Sequence, residues 1–251
     1  MIDLRGKRAV VTGGSRGIGA ATAILLARAG ANVGIGYRSR EDEAAAIVAT
    51  IELAGSAAFA VRGDLATRNA NEALVERAES MWGGVDIFVG NSGIWPPDPV
   101  NVAELDEERW RRTFDVNVDG MFFGAQAALR SMPAGGRLIF VASTAGQRGE
   151  AGHADYAATK GAMISFVKSL AVEVGDRDIT VNAVAPGWVD TEAVSKPFGG
   201  EGRHRIEAAI PLGRVASADD IAGPILFLAS QLARHVTGEI LNVNGGSVLC
   251  G

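Results

Sequence analysis

Short apolar runs alternate with longer segments of helical character along the whole chain. Each run is a few residues long and ends in glycine or polar turn residues, which is typical of a strand buried on both faces. The predicted strands cover residues 9–11, 32–36, 57–61, 85–89, 137–142, 180–185 and 239–243. The predicted helices cover residues 20–29, 40–54, 69–82, 104–132 with a break near Gly120, 155–174 and 218–230.

This alternation predicts an α/β fold, a doubly wound parallel sheet of about seven strands with helices on both faces. No repeat, linker or shift in composition divides the 251 residues, a length that one α/β domain accommodates. We therefore expect a single domain over residues 1–251. The Gly-rich polar stretch at residues 190–210 predicts a mobile lid.

A glycine-rich turn follows the first predicted strand and leads into a helix. Its glycines allow a tight turn and let backbone N–H groups approach a pyrophosphate, while the helix N-terminus adds the positive end of its dipole. The spacing differs from the commoner G-x-G-x-x-G, and such a loop can also be an ordinary turn. Between a strand and a helix it predicts a Rossmann-type dinucleotide site formed by Gly13, Ser15, Arg16, Gly17, Ile18 and Gly19.

The end of the second strand indicates which dinucleotide is bound. An acidic residue there would hold the ribose hydroxyls of NAD, but this chain has Tyr37-Arg38-Ser39-Arg40. A guanidinium favours a 2′-phosphate, and Arg16 could close on the same group, so NADP is favoured over NAD. The arginines could instead be solvated loop charges. Ser39 is expected to cap the next helix.

Two polar residues admit both a structural and a functional interpretation. Asp64, followed by Leu65 after the third strand, could accept a hydrogen bond from an adenine amino group or could cap the next helix. Asn117 lies inside a predicted helix, where an amide is more often solvated or bonded locally.

Tyr156 and Lys160 lie one turn apart on one face of a predicted helix. A phenol has an ordinary pKa of about 10, and a fixed ammonium nearby favours the phenolate, which would bring that pKa toward the working pH. Ser143 ends the fifth strand, at the edge where open α/β sheets bind ligands. Alone, Y-x-x-x-K is a weak signal, and a surface tyrosine with a surface lysine explains it equally well.

Composition narrows the functional classes. Hydrophobic residues make up 47% of the sequence, and the net charge of −5 gives no reason to expect nucleic acid as a partner. Cys250 is the only cysteine, so no intrachain disulfide is expected and a reducing compartment is favoured. Neither a secretion signal nor an apolar stretch of about eighteen residues is visible. We expect a soluble cytoplasmic protein without membrane association.

The predicted helix at residues 155–174 is apolar nearly all round. One face can pack on the sheet, and the other needs a second cover, which indicates another subunit. At least a homodimer is therefore expected.

Taken together, these segments resemble the short-chain dehydrogenase/reductase family over essentially the whole chain. The resemblance depends on Thr12-Gly13 with Gly17 and Gly19, Asp64, Asn91-Ser92-Gly93, Asn117, Ser143 with Tyr156 and Lys160, and Pro186-Gly187. The T-G-G-S-R-G-I-G loop, the Tyr37-Arg38-Ser39 segment and the terminal T-G-E-I-L-N-V-N-G-G are most similar to the branch of 3-oxoacyl-carrier-protein reductases and their relatives.

The resemblance implies a role for each matching residue. Tyr156 would exchange a proton with the substrate oxygen, and Lys160 would lower the pKa of Tyr156 and hold the nicotinamide ribose. Ser143 would orient the carbonyl, and Asn117 would hold a water that links Lys160 to solvent. Further cofactor contacts would come from Asn91, Ser92, Gly93, Pro186, Gly187, Val189 and Thr191. The expected substrate contacts are Ile94, Trp95, Gln147, His153 and Trp188. A homotetramer is implied, and no metal is expected.

The chain departs from the family pattern at Gly90, where an asparagine is usual, which puts the local rigidity of the sheet in question.

A second departure concerns acyl carrier protein, an acidic partner that needs a basic patch. Residues 172–178 are net negative, and a patch would have to come from elsewhere. The candidates are Arg109, Arg111, Arg112 and Arg130, although solvated helix faces explain them better.

The sequence therefore predicts an NADP(H)-dependent carbonyl reductase or alcohol dehydrogenase that acts on a small molecule. A 3-oxoacyl-carrier-protein reductase and an NAD-dependent sugar or polyol dehydrogenase are alternatives. A non-catalytic NADP-binding scaffold is the least favoured, because Ser143, Tyr156 and Lys160 are all present.

Overall fold

The protein is built on a parallel sheet with seven strands. The computed structural model describes residues 2–249, apart from the side chain of Ala193. The strands are β1 (Arg8–Thr12), β2 (Asn32–Tyr37), β3 (Ala58–Arg62), β4 (Ile87–Gly90), β5 (Arg137–Val141), β6 (Thr180–Pro186) and β7 (Ile240–Val243). Their order across the sheet is β3-β2-β1-β4-β5-β6-β7, and every neighbouring pair is parallel.

Helices cover both faces of this sheet. They are α1 (Gly17–Arg28), α2 (Glu41–Leu53), α3 (Arg68–Trp82), α4 (Glu107–Phe114), α5 (Gly120–Ser131), α6 (Thr144–Arg148), α7 (Ala154–Glu173), α8 (Gly202–Ala208) and α9 (Ala218–Ala229). Buried residues of α3, α5 and α7 form one apolar layer with the sheet, and those of α1, α2 and α9 form the other. The doubly wound α/β fold predicted from the alternation is confirmed.

The strand order creates the site. The chain moves outward from β1 to β3, then returns to place β4 on the opposite side of β1. The carboxyl ends of β1 and β4 therefore open into a crevice, which is where open α/β sheets bind ligands.

The elements differ from the predictions mainly at their ends. Helix α1 begins at Gly17 rather than residue 20, because the last part of the glycine turn is already helical. Ser39 does not cap the next helix, so that prediction is wrong. Helix α2 follows Arg40 without a side-chain cap. The acidic run Glu41–Glu43 occupies its first turn, where negative charge complements the helix dipole.

Three helical segments lie where loops or breaks were expected. The predicted break near Gly120 is a π-helical segment, Asp115–Asp119, between α4 and α5. Helix α6 follows β5 directly, and α8 lies within the predicted lid. Each of the last two is a short helix that contains a glycine, and glycine in a short segment masks the helical periodicity of the sequence.

No helix within residues 2–249 has the length and hydropathy needed to cross a membrane. Cys250, from which a reducing compartment was predicted, lies outside the described residues.

Gly90, the departure from the family pattern, is explained by its neighbour on β5. A Cβ atom at Gly90 would lie 2.5 Å from Cδ1 of Phe140. That ring is fully buried and contacts the rings of Phe88 and Phe166 at centroid distances of 6.3 and 6.1 Å. Aromatic packing therefore fills the space at this position, and the local rigidity does not depend on an amide.

We expect Gly90→Ala to lower the free energy of unfolding by about 1–3 kcal/mol, because the added methyl group forces the Phe140 ring or the β4 backbone to move. Gly175→Ala is the matched control, since Gly175 is exposed and no described atom lies within 4 Å of its Cβ position. Urea unfolding of both variants measures the effect. Equal stability of the two variants would contradict this account of the packing.

Candidate active site

A cleft of about 560 Å³ lies at the carboxyl edge of the sheet. Most of the predicted site residues line it, and they come from the loops after β1 through β6. The lining includes Gly13, Ser15, Arg16, Gly17, Ile18, Tyr37, Arg38, Ser39, Asp64, Leu65, Asn91, Ser92, Gly93, Ile94, Trp95, Ser143, Tyr156, Lys160, Pro186, Gly187, Trp188, Val189 and Thr191. Four predicted site residues do not line the cleft: Gly19, Asn117, Gln147 and His153.

The glycine loop is locked against the end of β4. The side-chain amide of Asn91 donates to the carbonyl oxygens of Thr12 and Gly13 at 2.9 and 3.2 Å. The hydroxyl of Thr12 accepts from the backbone N–H groups of Asn91 and Ser92. A Cβ atom at Gly19 would overlap the carbonyl oxygen of Gly13. Gly19 therefore serves close packing behind the loop rather than direct contact with a ligand.

The start of α1 has the features of a pyrophosphate site. The helix begins without a side-chain cap and has no acidic residue in its first turn, so its first N–H groups have no side-chain partner from a cap. Gly17 has φ of +55° and lines the cleft. Uncapped N–H groups at a helix N-terminus fit a dinucleotide diphosphate.

Arginines gather at the far end of the cleft. The carboxylate of Glu192 pairs with Arg16 at 2.5 Å and with Arg40 at 3.2 Å. Arg38 is exposed and accepts from Arg62 through its backbone carbonyl, while its side chain makes no hydrogen bond or ion pair with any residue from 2 to 249. These guanidinium groups could hold an anionic group between them, and the carboxylate of Glu192 already lies between two of them.

Asp64 lines the same part of the cleft. Its carboxylate accepts only from the backbone N–H of Ala66, at 3.2 Å, within the described chain. Thr67, rather than Asp64, caps α3 by accepting from the N–H of Ala70. The capping interpretation of Asp64 is therefore wrong, because the helix begins one turn later than that role requires.

Ser143, Tyr156 and Lys160 meet at the end of β5. The ammonium of Lys160 donates to the carbonyl oxygen of Val141 at 2.7 Å and lies 5.7 Å from the centroid of the Tyr156 ring. The hydroxyl of Ser143 lies near enough to the phenol of Tyr156 to lower its pKa, and it accepts from the N–H of Ala145 as the cap of α6. The three groups can hold one oxygen atom and deliver a proton to it.

Burial is the largest influence on the pKa values of both Tyr156 and Lys160. Burial raises the pKa of Tyr156 to about 12, the hydroxyl of Ser143 opposes this shift, and the charge of Glu150 adds to it. Burial also lowers the pKa of Lys160 to about 8. The expectation that Lys160 makes the phenol acidic is therefore not met in the protein alone, because the cost of desolvating the phenolate exceeds any effect of the ammonium.

Asn117 is fully buried, which contradicts the expectation of a solvated amide. It lies in the π-helical segment, where its carbonyl accepts from the N–H of Ile94 at 2.8 Å. Its amide donates to the carbonyl of Ile94 and to the hydroxyl of Thr159, both at 3.0 Å. This clamp holds the chain after β4 against the helix that carries Lys160. A single-turn π segment of this kind is frequent at functional sites.

Sequence reasoning missed an ion pair directly before Tyr156. The fully buried carboxylate of Asp155 accepts from Arg109 at 2.9 and 3.3 Å and from the hydroxyl of Thr113 at 3.0 Å. Arg109 was a candidate for a basic patch, with a solvated helix face as the favoured interpretation, but its side chain is only 15% exposed and pairs with Asp155. The two residues are 46 positions apart, so no local pattern indicated the pair.

Aromatic side chains form the wall beside Tyr156. The ring of Trp95 meets that of Trp188 edge-on, with a centroid distance of 6.0 Å. The ring of His153 stacks on Trp95 at a centroid distance of 4.7 Å. His153 is buried behind Trp95. Glu150, which was not predicted, lines the cleft and accepts from the indole N–H of Trp95 at 3.3 Å.

Gln147 does not line the cleft. Its amide donates to Asn242 on β7 at 2.8 Å. The prediction that Gln147 and His153 contact the substrate therefore lacks support from their positions. Within the described residues, no group of His, Cys, Asp or Glu side chains is arranged to hold a metal ion.

Comparison with known proteins identifies the family. A family model described as enoyl-(acyl carrier protein) reductase matches residues 13–247. The 3beta-hydroxysteroid dehydrogenase 1 of Eggerthella lenta is 41% identical, with 98% of this chain and 95% of that protein covered. The L-rhamnose 1-dehydrogenase (NAD(P)(+)) of a Sphingomonas species is 40% identical (97% and 96% covered). The 3-oxoacyl-[acyl-carrier-protein] reductase of Staphylococcus aureus is 36% identical (96% and 97% covered).

Solved structures share the fold along the whole chain. A blue fluorescent protein from a metagenomic library, in complex with NADPH, has a TM-score of 0.93 at 39% identity and covers 98% of this chain and 100% of its own. A short-chain dehydrogenase from Burkholderia cenocepacia, in complex with NADP, has a TM-score of 0.92 at 38% identity, with 97% and 98% covered. Because relatives of this identity match the chain from end to end, the protein belongs to the short-chain dehydrogenase/reductase family of oxidoreductases.

Proposed function

We propose that this protein transfers a hydride between NADP(H) and a carbonyl or secondary alcohol on a small molecule. The observation that carries the proposal is the meeting of Ser143, Tyr156 and Lys160 in the cleft that also contains the glycine loop. A cofactor anchored on that loop supplies the hydride. The protein then has to orient the substrate oxygen and manage its proton.

In carbonyl reduction, the hydroxyl of Ser143 donates to the substrate oxygen and fixes its position, an oxyanion-type contact. Tyr156 donates the proton that the oxygen acquires. Lys160 places positive charge below the phenol and offsets the phenolate left behind. In alcohol oxidation the same proton returns to Tyr156.

Asn117 acts in this scheme as a positioning residue. Both donors of its amide are used by Ile94 and Thr159. A water that links Lys160 to solvent would therefore have to donate to an oxygen near Asn117, since the amide N–H groups are already used. The clamp keeps Gly93 beside the lysine, where a Cβ atom would lie 3.6 Å from the Lys160 ammonium.

The arginines at the cleft end support NADP rather than NAD. The side chain of Arg38 has no partner among residues 2–249, and Arg16 and Arg40 hold the carboxylate of Glu192 between them. A 2′-phosphate is the anion of the cofactor that this arrangement suits. The NADPH and NADP complexes of similar proteins agree with this assignment.

Small carbonyl compounds are favoured over a carrier-protein substrate. Three of the four arginines proposed for a basic patch pair with acids: Arg109 with Asp155, Arg111 with Glu107, and Arg130 with Glu72. Acyl carrier protein therefore meets little free positive charge on this surface.

Oxidation of a sugar or polyol is the second candidate function. The Sphingomonas relative is named as a dehydrogenase of the sugar L-rhamnose, and the carboxylate of Glu150 in the cleft favours a substrate with hydroxyl groups.

The catalytic chain would act in an oligomer in the cytoplasm. Trp110 and Phe122 are 40% and 41% exposed, and Val172 on α7 is 86% exposed. Ile164 and Phe166 of α7, by contrast, pack against the core, so its outer face is less apolar than the sequence indicated. The exposed aromatic side chains of α4 and α5 support at least a dimer, within the homotetramer expected from the family.

Tyr156→Phe should lower kcat by about a hundredfold or more, because the phenyl ring keeps the packing but cannot exchange a proton. The affinity for NADPH and the melting temperature should remain those of the wild type. Turnover is followed by NADPH absorbance and binding by NADPH fluorescence. Wild-type turnover in the variant would overturn the assignment of Tyr156.

Arg38→Ala should weaken NADPH binding by about tenfold to a hundredfold and leave NADH binding unchanged, because a charge-assisted contact to the 2′-phosphate is lost. Arg77→Ala, at an exposed position of α3 remote from the cleft, is the control. Dissociation constants come from isothermal titration calorimetry. An equal loss of affinity for both cofactors would remove the argument for NADP.

The rate of alcohol oxidation should rise with pH, while the rate of reduction should not. Oxidation needs the phenolate of Tyr156, and burial raises the pKa of that group above its ordinary value, so only a small fraction is ionised at neutral pH. Reduction needs the protonated phenol, which predominates throughout the neutral range. Profiles of kcat/KM in both directions at saturating cofactor measure this. A flat oxidation profile would contradict it.

A further inference from the structure

A rigid turn presents Glu150 to the cleft. The turn is flanked by Gly149 and Gly152, both with φ of +78°, a conformation that favours glycine. It is locked to the proline-rich loop before α4. Val100 donates to the carbonyl of Gly152 at 2.8 Å, and a Cβ atom at Gly152 would lie 2.7 Å from that of Pro99. The backbone of the turn that carries Glu150 is therefore held against this loop before any ligand binds.

The carboxylate of Glu150 has unused acceptor capacity. Its only hydrogen bond within residues 2–249 is the long one from Trp95, at 3.3 Å. The nearest ring nitrogen of His153 is 3.6 Å away, beyond hydrogen-bond distance. An ionised carboxylate accepts about four hydrogen bonds, and the side chain of Glu150 is only 26% exposed. The remaining lone pairs need donors from a molecule in the cleft.

The surroundings of the carboxylate indicate the kind of donor. Trp95 and Trp188 provide flat apolar surface at an interplanar angle of 80°, suited to the C–H face of a ring or chain. Burial raises the pKa of the Glu150 carboxyl, and the nearby positive charge of Arg148 opposes that shift. A substrate ammonium would lose its hydration in this partly buried site. A neutral hydroxyl avoids that cost and still donates a hydrogen bond.

Glu150 is close to the reacting group. Its charge acts on the phenol of Tyr156, and both residues line the same cleft. A donor that reaches Glu150 therefore belongs to a carbon near the one that accepts the hydride.

We propose that Glu150 determines specificity by accepting a hydrogen bond from a hydroxyl on the carbon next to the reacting carbon, which selects α-hydroxy carbonyl compounds and vicinal diols such as those of sugars and polyols. The proposal rests on the function proposed above, since Ser143 and Tyr156 must hold the reacting oxygen. Simple ketones bind the tryptophan wall but leave the carboxylate without its donor.

Two isosteric pairs of ketones test this assignment: hydroxyacetone with butanone, and α-hydroxycyclohexanone with α-methylcyclohexanone. For the wild type, kcat/KM with NADPH should favour the hydroxyl member of each pair by about tenfold to a hundredfold. Glu150→Leu should abolish that preference, and Glu150→Gln, whose amide oxygen still accepts, should keep part of it. Glu76→Gln, at an exposed position of α3, should keep all of it.

The ratio within a pair cancels a general loss of activity, so a merely structural role of Glu150 would leave it unchanged. If Glu150→Leu keeps the wild-type ratio while turnover continues, the role of Glu150 is wrong and the proposed function stands. If aminoacetone is preferred over both partners and Glu150→Leu removes that preference, the site selects a cation and the hydroxyl assignment is overturned. If the wild type binds NADPH but reduces none of the ketones, the proposed function fails, and the role of Glu150 fails with it.

Discussion

The hydrogen bond from the ammonium of Lys160 to the carbonyl of Val141 joins the helix of the site to its sheet. Val141 is the last residue of β5, and Ser143 follows two residues later. Tyr156 lies one turn before the lysine on the same helix face. One contact of 2.7 Å thus brings together the three groups that handle the substrate oxygen. It also places both titratable groups in a poorly solvated position, and their pKa values move in opposite directions as a result.

Other contacts hold this arrangement from behind. Asn117 ties the chain after β4 to Thr159, next to the lysine, and the pair of Asp155 with Arg109 holds the start of α7. Asn91 fixes the glycine loop on the opposite side of the cleft. All of these supports are buried or partly buried and none lies in the flexible middle of a loop. A reactive geometry is kept within a fraction of an ångström only when such supports exist.

Local patterns in the sequence were sufficient for the strands and the parallel sheet, because each depends on spacing within one element. The meeting of Ser143, Tyr156 and Lys160 was implied by the family resemblance, since local spacing alone left Tyr156 and Lys160 open to a surface interpretation. Features that depend on distant partners were not visible. The pair of Arg109 and Asp155 joins two separate helices, 46 positions apart in the sequence. Glu150 likewise meets Trp95, which lies 55 positions earlier in the chain. In the protein alone, the pKa of Tyr156 shifts in the direction opposite to the expectation, since the sequence shows the neighbouring cation but not the depth of burial that opposes it.

The central claim is that burial keeps the phenol of Tyr156 protonated in the protein without its cofactor. The chain has only two tyrosines, so ultraviolet titration of the wild type minus Tyr156→Phe reports this phenol alone. The account predicts no phenolate absorbance in the difference spectrum up to the ordinary phenol pKa of about 10. A midpoint below that value would show that the cation acidifies the phenol despite its burial, and would contradict the account.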